Sequence, residues 1–149
     1  MQYSTKRFGV IDVGEEQVIR VKGGLLGFTN LHKYIIIHHR GQGPFVWLQS
    51  LEQPELAFPL IDPHVVYPDY LLEISREDAE EIGIESEDDV EIFVLVAMRS
   101  DNRQMQLNMQ GPLIVNRKNS QAMQFIDHHC SYSGIIELES TVEKQINGI

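Results

Sequence analysis

Prolines stand at positions 54, 59, 63 and 68, and this spacing of four to five residues constrains the fold more than any other feature of the chain. Each ring fixes φ, removes the N–H that a helix interior needs, and cannot donate to a β-ladder. The middle of the chain is therefore expected to consist of short edge strands, bends and turns that curl a sheet. Around it lie apolar runs of strand length. Tyr34-Ile35-Ile36-Ile37-His38 and Phe45-Val46-Trp47-Leu48-Gln49 flank the turn-rich Arg40-Gly41-Gln42-Gly43-Pro44, which is the pattern of an antiparallel hairpin. Ile92-Phe93-Val94-Leu95-Val96-Ala97-Met98 is apolar on both alternating faces and reads as a central, buried strand. Leu113-Ile114-Val115 and Met123-Gln124-Phe125-Ile126 add two more. Phe8-Gly9-Val10-Ile11-Asp12 and Gln17-Val18-Ile19-Arg20-Val21 flank an acidic turn at Gly14-Glu15-Glu16.

One helix is expected, at about residues 76–82. Ser75 caps its start, Glu77 and Asp78 occupy the first turn, and Gly83 suits the left-handed position after its end. Ile84 is then placed to pack back on Ala79. Glu80 and Glu81 in the last turn oppose the helix dipole, so the helix is marginal unless packed. The fold class that follows is mainly β: a small antiparallel β-barrel-like single domain with one short helix, over residues 1–138. A polar tail, mobile or loosely helical, is expected at 139–149.

With 149 residues, 42% of them hydrophobic, the chain has enough apolar side chains for one core. Its single cysteine, Cys130, excludes an internal disulfide and fits a reducing compartment. No apolar run reaches the roughly 20 residues of a membrane-spanning helix, and the opening residues do not lead into a signal-peptide core, so a cytoplasmic protein is expected. A formal net charge of -10 argues against binding a phosphate backbone. Nine of those charges fall within residues 73–91, where ten acids face Arg76 as the only base. Such a stretch is either a solvated face or a patch that steers a basic partner and loses effect in salt.

Searches for chemistry return little. His38-His39 and His128-His129 are adjacent pairs, and neighbours on a strand point to opposite faces, so neither pair chelates by itself. Glu85-Ser86-Glu87-Asp88-Asp89 lacks the alternation and central glycine of a calcium loop. No metal or cofactor is expected. There is no G-x-S-x-G elbow, and Cys130 has only its neighbouring histidines to activate it. Gly23-Gly24-Leu25-Leu26-Gly27 matches no phosphate-binding loop and reads as a sharp turn between strands. Arg99, Arg103, Arg117 and Lys118, with Asn102, Asn108 and Asn116 between them, are too few bases for a nucleic-acid footprint. A small β-barrel hydrolase or metal-dependent enzyme using the histidines, or Asp62 with Asp69, stays open as an alternative.

Several motifs together resemble the FliW flagellar assembly factors. They are Trp47-Leu48-Gln49-Ser50, Pro54-Glu55-Leu56-Ala57-Phe58-Pro59, Ile61-Asp62-Pro63 and Tyr67-Pro68-Asp69-Tyr70. Asn108-Met109-Gln110-Gly111-Pro112-Leu113-Ile114-Val115-Asn116 is similar to the family's N-x-x-(A/G)-P-(I/L)-V-(I/V)-N, with Gly111 where alanine is usual. Lys22-Gly23-Gly24-Leu25-Leu26-Gly27-Phe28 is similar to its P-x-G-L-P-G-F loop, but both prolines are replaced, by Lys22 and Leu26. The motifs occur in order over about residues 1–130.

The resemblance implies a cytoplasmic, non-enzymatic regulator with a small β-barrel-like fold, monomeric when free. It implies two partners, flagellin and the RNA-binding translational repressor CsrA, which compete for the factor and so couple flagellin level to flagellin translation. CsrA is expected to be antagonised allosterically; direct occupation of its RNA groove by acidic side chains is the rival model. Glu80, Glu81, Asp88 and Asp89 are the expected contribution to CsrA docking, with the marginal helix ordering on binding. Tyr67, Pro68, Asp69 and Tyr70 are expected at a partner surface. Tyr67, Tyr70, Phe58 and Trp47 are its candidate aromatic anchors, with plain core the alternative role for Trp47 and Phe58. Gln49, Asp62, Pro63, Asn108, Pro112 and Asn116 are motif positions that either bind or support the fold.

Overall fold

The computed structural model describes residues 1–38, 41, 43–99 and 104–137. Its strands are β1 (Gln2–Thr5), β2 (Gly9–Asp12), β3 (Ile19–Lys22), β4 (Lys33–Ile37), β5 (Phe45–Ser50), β6 (Ala57–Ile61), β7 (Val90–Arg99), β8 (Gln104–Leu107), β9 (Leu113–Asn116), β10 (Gln121–Gln124) and β11 (Ile135–Glu137). Helix α1 spans Arg76–Glu81. Seven strands close into a barrel in the order β7-β6-β5-β4-β3-β10-β9, and β9 returns to β7. An odd ring cannot alternate strand direction all the way round, so at least one junction must be parallel. That junction is β3–β10, with Arg20 opposite Gln121; the other six are antiparallel. The barrel is thus antiparallel except at this seam.

The pleat sorts the residues. Ile19 and Val21, Val46 and Leu48, and Leu113 and Val115 alternate inward and meet Tyr34, Leu60, Phe93 and Ala122 in the barrel core. On β7 the opposite face is buried as well, where Val94 and Val96 pack with Ile61, Tyr70, Met105, Leu107 and Met109. The unbroken apolar run in β7 is therefore required by two cores. A third cluster, centred on Val13, Val18 and Ile35, lies under the β1–β2 hairpin and includes Tyr3 and Ile11.

The β4–β5 hairpin forms as expected, with Ile36 opposite Leu48. The proline-rich stretch does not stay at a sheet edge. Within it, β6 is an interior strand of the barrel. Proline is accommodated because β5 borders all of β6, whereas β7 reaches only Leu60 and Ile61, leaving Pro59 with one neighbouring strand. β10 begins two residues earlier than expected, since it offers Ala122 as its only buried side chain and gives little apolar signal. β1, β8 and β11 were not anticipated; in the first two, polar residues hide a short pattern.

Helix α1 has the expected ends. Ser75 Oγ accepts from the Asp78 amide, and Gly83 takes φ +70°. The amides of Gly83 and Ile84 donate to the carbonyls of Glu80 and Ala79, the paired bonds of a Schellman termination. The helix is also fastened to the barrel. Asn116 Nδ2 donates to the Ile82 carbonyl at 2.8 Å, Asn119 Nδ2 to the same oxygen at 3.1 Å, and Lys22 Nζ to the Glu81 carbonyl at 2.6 Å. Ile82 is fully buried beneath them. These donors meet the negative end of the helix, where Glu80 and Glu81 leave a deficit.

Two predictions follow from this packing. Asn116→Ala should cost about 0.5–1.5 kcal/mol in denaturant unfolding, because the Ile82 carbonyl loses the shorter of its two donors and keeps only Asn119. Asn116→Asp should be no better, since it keeps the acceptor for the Lys118 amide but cannot donate to Ile82. Burial pushes the Tyr34 and Tyr70 phenols up from 10.0 to about 12. The folded state therefore favours their neutral forms. That contribution is complete below pH 10 and is lost as pH rises toward 12. A phenolate absorbance titration should show these two tyrosines ionising last, together with loss of structure.

Candidate functional site

β8 and β9 are two halves of one returning strand that pairs with a single edge of β7. Met105 and Leu107 oppose Met98 and Val96, then Leu113 opposes Phe93. Between them Asn108-Met109-Gln110-Gly111-Pro112 stands against only Val94 and Leu95, so the chain must bulge outward. The Asn108 amide holds the start of the bulge to the Leu95 carbonyl, and the Gly111 amide turns back to the Asn108 carbonyl. A cleft of about 580 Å³ opens there. Phe58, Leu95 and the exposed Ile135 give it apolar walls, while Asn108, Gln106 and Gln110 supply amide groups.

The glycine-rich loop after β3 reaches the same region. Gly24 has φ +68°, and a Cβ on it would stand 2.7 Å from the Phe28 carbonyl oxygen, so only glycine fits. Leu25 is buried, but Leu26 is 72% exposed. The Phe28 ring meets the Phe58 ring edge-on at 5.2 Å. Phe58 therefore sits between the core, the loop tip and the cleft.

Other predicted residues act on the fold. Trp47 points away from the barrel core, with the Arg7 guanidinium 4.1 Å above its ring and Phe8 at its edge. Gln49 is fully buried, and its Nε2 donates to the carbonyls of Ser50, Pro54 and Leu56, shaping the β5–β6 turn. Asp62 accepts from the amide and ring Nδ1 of His64, which caps the single turn Pro63–Val65; Pro63 is buried. Pro112 is buried at the end of the bulge, and Asn116 fastens α1.

Tyr67, Pro68, Asp69 and Tyr70 do not form one exposed surface. Tyr70 is buried, and Tyr67 is half-buried with its hydroxyl donating to the Ser133 carbonyl at 2.7 Å. Both rings lie 5.0 Å from Tyr132, whose hydroxyl accepts from the Leu71 amide. Their task is to hold the segment before β11; Pro68 and Asp69 remain exposed. Sequence reasoning missed Tyr132 and Gln124, each a single polar residue in an unremarkable run.

The acidic stretch is mostly exposed, with Glu80, Glu81 and Asp88 at the surface. Asp89 is different: its side chain is 17% exposed and lies 3.7 Å from Lys118, which also faces Glu85 at 4.0 Å. Arg117 pairs with Glu91 at 3.3 Å. Arg117 and Lys118 thus turn back on the acids and are not part of a basic edge; Arg103 and Asn102 lie outside the described residues. The Glu52 carboxyl is held below its ordinary value: burial opposes its charge, but the amides and the charges of Lys33 and His32 together outweigh that cost.

No three His, Cys, Asp or Glu side chains gather as a metal site among the described residues. His38, His128 and His129 are exposed, and His39 lies outside the described residues. Cys130 is half-buried with Sγ against the Tyr132 carbonyl. No described helix is long and apolar enough to cross a membrane.

Comparison with known proteins adds the following. Residues 2–135 match the model of the FliW protein family. A flagellar assembly factor FliW from Treponema denticola is 40% identical over 126 residues, 85% of each chain. One from Caldanaerobacter subterraneus subsp. tengcongensis is 39% identical over 127 residues, again 85% of each. A crystal structure of the flagellar assembly factor FliW superimposes with a TM-score of 0.84 at 26% identity, covering 93% of this chain and 96% of that one.

Proposed function

The chain belongs to the FliW family, and from that premise we propose that it is a cytoplasmic, non-enzymatic flagellar assembly factor that binds flagellin and antagonises CsrA. The observation that carries this reading is likeness to proteins named flagellar assembly factor over 85% of the chain. The binding roles extend it, and two surfaces supply them with suitable chemistry.

The first is the acidic face. Glu80 and Glu81 on α1, and Asp88 in the turn Glu87–Asp89, present carboxylates to solvent near the start of β7. RNA-binding repressors such as CsrA are basic, so these charges accelerate encounter with one. Because α1 is fastened at its C-terminus, the carboxylates stand in place before the partner arrives. Asp89 contributes less directly, being engaged by Lys118. The second is the cleft beside the Asn108–Pro112 bulge. An amphipathic segment of flagellin has the required character: an apolar face for Phe58, Leu95 and Ile135, and polar edges for Asn108 and Gln110.

Reversing charge at Glu80, Glu81 and Asp88 should slow CsrA association and flatten its salt dependence, without loss of thermal stability. An unchanged association rate at low salt would refute the docking role. A pull-down from motile cells should recover both flagellin and CsrA, and recovery of neither would refute the binding function. Saturating RNA distinguishes the modes of antagonism: allostery predicts a plateau in the apparent Kd for CsrA, and direct competition predicts a continuous rise.

A further inference from the structure

Gln124, the last residue of β10, makes two hydrogen bonds that join separate motifs. Its Oε1 accepts from the Leu26 amide at 2.7 Å, and its Nε2 donates to the Gly111 carbonyl at 3.0 Å. One end thus holds the tip of the glycine-rich loop, and the other holds the bulge that forms the cleft.

Both bonds involve positions where this chain departs from the pattern it otherwise resembles: the first needs an N–H at position 26, and the second has room because position 111 carries no Cβ. Leu26 stands where the loop P-x-G-L-P-G-F has proline, which has no N–H to donate. Gly111 stands where alanine is usual, and a Cβ there would lie 2.8 Å from Gln124 Nε2. The turn itself is compatible with proline. The Phe28 amide donates to the Leu25 carbonyl at 2.8 Å, Gly27 has φ +89°, and Leu26 has negative φ, which together define a type II turn. Position i+1 of such a turn is where proline is favoured, and there Leu26 sits. Lys22, at the loop's other proline position, likewise supplies a bond proline cannot make, from Nζ to the Glu81 carbonyl.

We infer that Gln124 is a positioning residue that fixes the Leu26–Phe28 tip by hydrogen bonding, in the role a proline ring plays in the P-x-G-L-P-G-F loop, and locks that tip to the Asn108–Pro112 rim of the cleft. The exposed Leu26 and the Phe28–Phe58 pair are thereby held in one arrangement beside the cleft. The consequence for partner binding rests on the cleft being the flagellin-binding surface.

Hydrogen exchange of the Phe28 amide tests the inference, since that N–H survives in every variant; the Leu48 amide of β5 serves as the control for global opening. Gln124→Leu should accelerate Phe28 exchange at least tenfold and leave Leu48 unchanged. Gly111→Ala, which crowds the Gln124 and Asn108 amides without touching the loop, should do the same in milder form. Adding Leu26→Pro to either variant should restore slow exchange. Gln124→Glu keeps the acceptor for Leu26 but sets a carboxylate oxygen against the Gly111 carbonyl, so it should fall between wild type and Gln124→Leu. Unchanged Phe28 exchange in Gln124→Leu, or failure of Leu26→Pro to restore it, would overturn the inference. Flagellin affinity should fall in Gln124→Leu and recover with Leu26→Pro, and equal affinity in wild type and Gln124→Leu would overturn the functional part. Wild-type protein that binds no flagellin would instead refute the flagellin reading, leaving the exchange result intact.

Discussion

The structure depends on β7 being shared. Its ten residues pair with β6 on one edge and, on the other, with β9 over Val90–Phe93 and β8 over Val96–Arg99. Its inner face supplies Phe93 to the barrel core and its outer face supplies Val94 and Val96 to the second core. One edge cannot pass from β8 to β9 without disposing of the residues between them, and the bulge at Asn108–Pro112 is the result. The cleft is thus a product of barrel closure, positioned by the strand that serves both cores. The acidic face lies at the other end of the same strand. Val90 and Leu95 are five residues apart, roughly 16 Å along a strand.

Much of this was legible from the residues. The run Ile92–Met98 announced a strand buried on both faces because burial on both sides leaves no polar alternation. Ser75 and Gly83 announced α1 because capping is local chemistry. What stayed hidden was non-local. Nothing near Pro59 in the sequence shows that β7 stops short of it, so an interior strand looked like an edge. Nothing near Tyr70 shows that Tyr132 arrives from 62 residues away to enclose it, so a buried ring read as an exposed anchor. Gln124 was read only as part of a strand; its meaning comes from two loops that meet only in the fold.

The motif positions divide along the same line. Gln49, Asp62 and Asn116 serve the backbone, each satisfying groups that a turn or a helix end leaves without partners. Phe58 and Asn108 line the cleft. The charge divides too. Asp89 and Glu91 are answered by Lys118 and Arg117, whereas Glu80, Glu81 and Asp88, with Glu73, Glu77, Glu85 and Glu87, make up the outward part of the acidic stretch.

The central proposal is that one small barrel offers two surfaces of different chemistry, and that the charged face serves a basic repressor and the apolar cleft serves flagellin. The direct measurement is the salt dependence of both binding reactions on the same wild-type protein, by association kinetics for CsrA and by equilibrium affinity for flagellin. The account predicts that CsrA association slows steeply between low and physiological ionic strength while flagellin affinity changes little. Equal salt dependence of the two, or none for CsrA, would contradict it.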